Sequence, residues 1–204
     1  MTSLPRITRS TALPAAGIVH LGPGAFFRAF IAPYTDEAMG AGSANGEDWG
    51  IIAVSLKSPT AREALVPQGC VYTALERGPE GDTLRQVEAI TDVLVAPEDP
   101  RAVLDVLTQP EIRIVSLTVT EKGYCHNPRN GSLRTDHPDV AHDIATSDAP
   151  RTALGFLVLA LSRRREAGIP PFTVLCCDNL PANGAMLRQL VTELAGKRDS
   201  AGFS

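Results

Sequence analysis

The amino-acid sequence predicts an α/β protein: a doubly wound, mostly parallel sheet with an inserted β-hairpin. Three observations carry that reading. Nearly unbroken apolar runs of strand length recur at 18–21, 49–56, 112–120 and 172–177, the mark of strands buried on both faces. Segments whose apolar residues repeat at helical spacing alternate with them. The first run ends at Gly22-Pro23-Gly24 and passes straight into a helix-like segment containing Phe26, Phe27, Phe30 and Ile31.

Composition sets the outer bounds. With 204 residues, 44% hydrophobic and 21% charged, the chain can build one full core. Its formal net charge is −4 and its basic residues are scattered, apart from Arg163-Arg164-Arg165. Those three spread around a helical turn and read as a solvated face, so no nucleic-acid partner is expected. There is neither a basic-then-apolar leader nor an apolar run of ~20 residues, so a cytoplasmic protein without a membrane partner is expected. Cys70, Cys125, Cys176 and Cys177 contain no C-x-x-C pair and are expected as buried, reduced thiols. His20, His126, His137 and His142 lack H-E-x-x-H spacing, and no metal is expected.

Taken in order, residues 1–16 are polar and proline-punctuated, an arm on the surface or partly disordered. Residues 17–197 then form the domain. A helix follows the glycine turn to about Met39, with a break or restart expected near Ala32 because Pro33 falls inside it. Gly40 to Asp48 is a breaker, and 49–56 is the second strand. Alternation from Cys70 to Glu76 and from Thr83 to Ile90 predicts a hairpin insertion over about 70–90. A helix is expected over 97–107, starting near Glu98 or Asp99. The strand at 112–120 runs into Glu121-Lys122-Gly123-Tyr124, and a short helix is expected over 139–145. Pro150 opens a helix that Gly168 ends. A strand at 172–177 precedes a last helix over 185–195, and 198–204 is a tail.

The glycine turn is where chemistry is expected. Glycines let the backbone approach a ligand, and the free N–H groups of a new helix favour a phosphate. The pattern is G-x-G-x-x-F, with Phe27 in place of a third glycine; a turn that only reverses the chain is the alternative. In a dinucleotide fold the tip of the second strand meets the adenosine ribose. A carboxylate there accepts from the 2′-hydroxyl, whereas a base suits a 2′-phosphate. Here the tip carries Lys57 and Ser58, with no carboxylate until Glu63. That leans toward NADP or loose discrimination, unless Lys57 is merely solvated. Three strand ends converge on one crevice: Gly22 to Gly24, Thr118 to Glu121, and Cys177 to Asn179. The fold is therefore Rossmann-like.

The motifs IVHLGPGAFFRA, WGIIAVSL, VYTALERG, SLTVTEKGY and VLCCDNLPANG together resemble the N-terminal half of the mannitol 2-dehydrogenase family. This is the family of polyol-specific long-chain dehydrogenases that includes fructuronate reductase, and the likeness spans about residues 18–190. The resemblance implies an NAD(P)-binding domain, with NAD favoured, in an enzyme moving a hydride between NAD(P) and a polyol or keto-sugar acid. It also implies a missing C-terminal substrate domain that supplies a lysine acid/base. By that likeness Gly22, Gly24, Ala25, Phe26 and Phe27 lie at the pyrophosphate, and Val119, Thr120 and Glu121 lie near the nicotinamide ribose. Asn179 corresponds to the asparagine that polarises the reacting carbonyl; an amide aimed at developing charge contributes ~3 kcal/mol. The alternative for Asn179 is a bond within its own loop, and Asn183 reads as the last helix's N-cap. Where the family has F-H-R-A-H, this chain has Phe26-Phe27-Arg28-Ala29-Phe30. None of Tyr34, Tyr72 or Tyr124 has a lysine four residues on, so the short-chain dehydrogenase mechanism does not apply. A non-catalytic dinucleotide-binding module or sensor is the competing reading.

Overall fold

The computed structural model describes residues 7–40, 49–146 and 148–202. The predicted breaker, beyond Gly40, and the ends of the arm and tail lie outside them. In chain order the strands are β1 (Ala16–Leu21), β2 (Gly50–Ser55), β3 (Tyr72–Gly78), β4 (Gly81–Val87), β5 (Ile90–Val95), β6 (Ile114–Leu117) and β7 (Thr173–Cys176). Five of them form one parallel sheet in the order β5-β2-β1-β6-β7, and β3 with β4 forms the inserted antiparallel hairpin.

β1 is central because alternate residues feed two separate cores. Val19 and Leu21 pack with Val103, Leu107, Leu154 and Leu190 on one face, while Ile18 packs with Phe27, Ala32 and Leu65 on the other. Helices thus cover both faces, as a doubly wound sheet requires. The chain runs outward from β1 through β2 to β5, then returns to β6 and β7. The order therefore reverses between β1 and β6, and a crevice opens beyond their carboxyl ends.

Two strands differ from expectation. The run at 83–90 was expected to be one hairpin strand, but β4 stops at Val87, and Ile90–Val95 is a third parallel strand paired with β2. Only Glu88 and Ala89 separate them, and apolar alternation continues through both. Pairing partners, not periodicity, divide the run. β7 is an edge strand with Thr173 and Leu175 exposed, rather than a strand buried on both faces. Its last residue, Cys176, and Cys177 after it are accordingly half-buried, although all four cysteines are free and Cys70 and Cys125 are buried.

The helices are α1 (Ala32–Gly40), α2 (Thr60–Leu65), α3 (Pro100–Leu107), α4 (Thr120–Gly123), α5 (Pro138–Ala145), α6 (Ala153–Glu166) and α7 (Asn183–Ser200). The restart expected near Ala32 is present, since α1 begins there with Pro33 in its first turn. A π-helical turn over Phe27–Ile31 runs into α1, with the Ala32 N–H reaching Phe27 O. The widening sits just before the residue that has no N–H to give. Asp99 caps α3, accepting from Ala102 N at 3.0 Å. α6 begins at Ala153 because the Asp143 carboxylate accepts from Arg151 N and Thr152 N, and Thr152 Oγ1 in turn accepts from Gly155 N. α7 continues past Ala195 to Ser200.

The hairpin and the arm both brace this frame. Tyr72 Oη donates to Arg28 O at 2.6 Å, tying the hairpin to the helix start. The Glu88 carboxylate accepts from the backbone and hydroxyls of Ser10 and Thr11, at 2.6 to 3.0 Å. The described part of the arm is thereby strapped to the surface. Among the described residues, no helix is long and apolar enough to cross a membrane.

Candidate functional site

The site grows from the carboxyl end of β1. Gly22 has φ +94, and a Cβ there would lie 2.4 Å from Thr118 O. Only glycine lets the turn press against the exit of β6. Gly22 N donates to Val54 O at 2.9 Å, and Gly24 N donates to Gly22 O at 2.7 Å. The helix's first hydrogen bond runs from Arg28 N to Gly24 O at 3.2 Å. The amides of Ala25, Phe26 and Phe27 precede it, the donors a helix start leaves for an anion.

Under the turn lies a buried polar knot. His20 has no solvent exposure. Its Nδ1 is 2.8 Å from Ser116 Oγ and its Nε2 is 2.9 Å from Thr118 Oγ1. Thr118 Oγ1 donates to Gly22 O at 2.6 Å, which leaves its oxygen to accept from an Nε2–H tautomer of His20. Burial holds the His20 pKa down at about 3, although the Gly22 carbonyl works the other way. The ring is neutral. It stacks on Phe27, with ring centroids 3.8 Å apart.

Beyond the turn is a cleft of about 390 Å³, whose lining includes Gly22, Gly24, Arg28, Lys57, Ser58 and Thr120. Its β6 wall is set by Asp178, at the end of β7. That carboxylate accepts from Val119 N at 2.9 Å, from Thr120 N at 3.3 Å and from Tyr124 Oη at 2.6 Å. Thr120 has φ +65, a strained conformation for a β-branched residue that the carboxylate helps to hold. Burial, then Asp178 and Cys176, push the Tyr124 hydroxyl far above its usual range, so it stays a donor. Asp178→Ala is expected to lower stability by about 1 to 3 kcal/mol, since it leaves the Tyr124 hydroxyl only Cys176 Sγ, at 2.9 Å, and takes the acceptor from the part-buried Val119 amide. Asp178→Asn, which keeps one acceptor, loses less; equal midpoints in urea for Asp178→Ala and the parent would refute this.

The structure brings Gly22, Gly24, Lys57, Ser58, Val119 and Thr120 to this one cleft. Phe26 is exposed and Ala25 sits beside it at the helix start, while the Phe27 side chain is buried against His20. Phe27 therefore offers a ligand its amide only. Glu121 is exposed in α4 and lies 4.0 Å from His126 Nε2. Asn179 is exposed in the loop after β7, and no hydrogen bond to its own loop holds its side chain among the described residues. Asn183 is not an N-cap: Ala182 holds that position, and Asn183 Nδ2 donates to Cys176 O and Asp178 O. Asn183 clamps the loop that carries Asn179. The sequence set Thr118 and Asp178 at the converging strand ends without giving either a role, and it pointed to no site role for His20 or Arg28. The one signal for Asp178 was a carboxylate at a strand's carboxyl end.

A parallel sheet in this order, with a glycine turn and a cleft at the point where the order reverses, defines a Rossmann domain. The chain belongs to the mannitol dehydrogenase family, whose Rossmann-domain model matches residues 16–203. It is 44% identical over 181 residues to a mannitol 2-dehydrogenase of Pyrenophora tritici-repentis, covering 88% of this chain and 32% of that protein. It is 45% identical over 183 residues to the uncharacterized oxidoreductase YeiQ of Escherichia coli, covering 89% and 37%. Among solved structures, a Pseudomonas fluorescens mannitol 2-dehydrogenase in ternary complex with NAD and D-mannitol superposes with a TM-score of 0.87 at 42% identity, over 92% of this chain and 38% of that one. A substrate-free D-sorbitol dehydrogenase gives 0.85 at 39% identity, over 93% and 39%. The chain thus spans about a third of the length of the curated relatives it matches.

Proposed function

We propose that this chain is the nucleotide-binding half of an oxidoreductase that moves a hydride between NAD(P) and the secondary alcohol of a polyol or sugar acid. The observation that carries this is the contrast between the two glycines of the turn. A side chain at Gly22 would strike Thr118, but one at Gly24 would meet nothing nearer than Gly22 O at 3.9 Å. The protein's own packing does not demand glycine at position 24. Close approach of a ligand to the backbone does.

The nicotinamide, when bound, supplies the hydride acceptor or donor. The chain's own residues bind and orient. The amides at 25–27 and the Arg28 guanidinium meet the pyrophosphate, and the Val119–Thr120 wall, held by Asp178, borders the nicotinamide ribose. Asn179 donates its side-chain N–H to the oxygen that gains negative charge as the carbonyl is reduced. The proton acid/base comes from a C-terminal substrate domain, in keeping with the greater length of the relatives.

Calorimetric titration with NAD, NADH, NADP and NADPH tests the reading. Gly24→Val is expected to weaken binding at least tenfold while leaving stability within about 1 kcal/mol of the parent. Unchanged affinity in that variant, or no binding of any nicotinamide nucleotide by the parent, would sink it. The competing reading, a non-catalytic dinucleotide-binding module, shares the binding result. It is separated by polyol oxidation once a family substrate domain is added.

A further inference from the structure

We infer that Asn183 is a positioning residue, which holds Asn179 where the reacting oxygen gains charge by fixing the loop between β7 and α7. The inference rests on the hydride-transfer reading of Asn179 and adds what aims that amide. Asn179 is exposed, and among the described residues no hydrogen bond holds its side chain. An amide on a free loop would sample many directions, and a reacting group misplaced by ~1 Å can lose about a hundredfold in rate. The aim must therefore come from the backbone beneath it.

That backbone is pinned on both sides of Asn179. Before it, Cys177 N donates to Leu117 O at 2.9 Å, and the Asp178 carboxylate is fastened to Val119 N and Tyr124 Oη at 2.9 and 2.6 Å. After it, Leu180 N turns back to Asp178 O at 2.9 Å. Asn183 closes the loop. Its Nδ2 donates to Cys176 O at 3.2 Å and to Asp178 O at 2.9 Å. Asp178 O belongs to the peptide group that leads into Asn179, so this bond fixes the plane from which the Asn179 side chain projects. Asn183 is itself fixed, because it begins α7, whose Leu187, Leu190 and Leu194 are buried in the core. Closing the loop this way requires backbone strain. Ala182, just before Asn183, is held at φ +49, a left-handed conformation that a residue with a Cβ enters at a cost. A connection that only had to join β7 to α7 could avoid it, and strain kept beside one unbonded amide points to a held site.

The test joins this chain to the substrate domain of a mannitol 2-dehydrogenase and follows D-mannitol oxidation with whichever of NAD and NADP binds more tightly. Asn183→Ala is expected to lower kcat/KM for D-mannitol at least about tenfold while nucleotide affinity by calorimetry stays at the parent's value. Asn183→Asp should show the same loss. It keeps the side chain's shape, has no donor for the two carbonyls and suits a helix start, so it guards against a folding defect. Asn179→Ala is expected to lose about a hundredfold. Adding Asn183→Ala to it should change the rate by less than about twofold, because Asn183 acts only through Asn179. Losses that multiply in the double variant, or Asn183 variants as active as the parent, would overturn this inference alone. A fully active Asn179→Ala protein would overturn the reading of Asn179 and this inference with it. A joined parent protein without turnover would overturn the hydride-transfer reading as well.

Discussion

Gly22→Ala is expected to lower stability by about 3 to 5 kcal/mol and to abolish nucleotide binding, the reverse of the mild folding effect expected for Gly24→Val. Two penalties add at this position. An L-residue at φ +94 carries backbone strain of about 1 to 3 kcal/mol. The added methyl would also sit 2.4 Å from Thr118 O and 3.0 Å from Thr118 C, and backbone atoms of a paired strand cannot swing aside as a side chain would. Relief requires the turn and β6 to separate. That movement breaks the bond from Thr118 Oγ1 to Gly22 O and pulls Gly22 N from Val54 O. For a domain of this size the unfolding midpoint should fall by on the order of 10 °C. A Gly22→Ala protein that melts with the parent would show that the close approach of turn and strand is not required.

Stability should fall steadily as pH drops below about 6.5, with His20 as the cause. In the unfolded chain this histidine titrates near 6.5, whereas in the folded protein burial holds it near 3. Between those values the unfolded state binds a proton that the folded state refuses. Folding is therefore penalised progressively as pH falls, by about 1.4 kcal/mol per unit, and not at all above 6.5. Urea unfolding at pH 7.5, 6.5, 5.5 and 5.0 reads this slope directly. His20→Asn is expected to be less stable at pH 7.5, having lost the Phe27 stack, but to show a flatter profile between 6.5 and 5.0. A variant profile as steep as the parent's would place the acid sensitivity elsewhere.

Much of the molecule was legible from local pattern. The apolar runs at 18–21, 49–56, 112–120 and 172–177 each overlap an observed strand, and a helix start was marked at Glu98 or Asp99, of which Asp99 is the cap, because capping is a local event. The glycine turn was legible for the same reason: Gly22-Pro23-Gly24 at the end of an apolar run constrains backbone geometry over three residues. The site was less legible. Lys57, Ser58, Val119 and Thr120 could be set at one crevice only through the rule that ligands meet the carboxyl ends of strands. Phe26 and Phe27 look equivalent in sequence, yet one is exposed and the other buried on His20.

By itself the sequence determined that this is a parallel α/β domain with a hairpin insertion and a glycine turn after the first strand, because those features follow from periodicity, turn chemistry and capping within a few residues. Tertiary structure alone decided the rest. It made Ile90–Val95 a sheet strand by pairing it with β2, put β7 at the edge, and gave Asp178 its place by bringing it to Val119, 59 residues away in sequence. It also required glycine at position 22 through a contact with Thr118, 96 residues distant. Contacts of that range depend on how strands order within a sheet, and no local pattern of residues encodes that order.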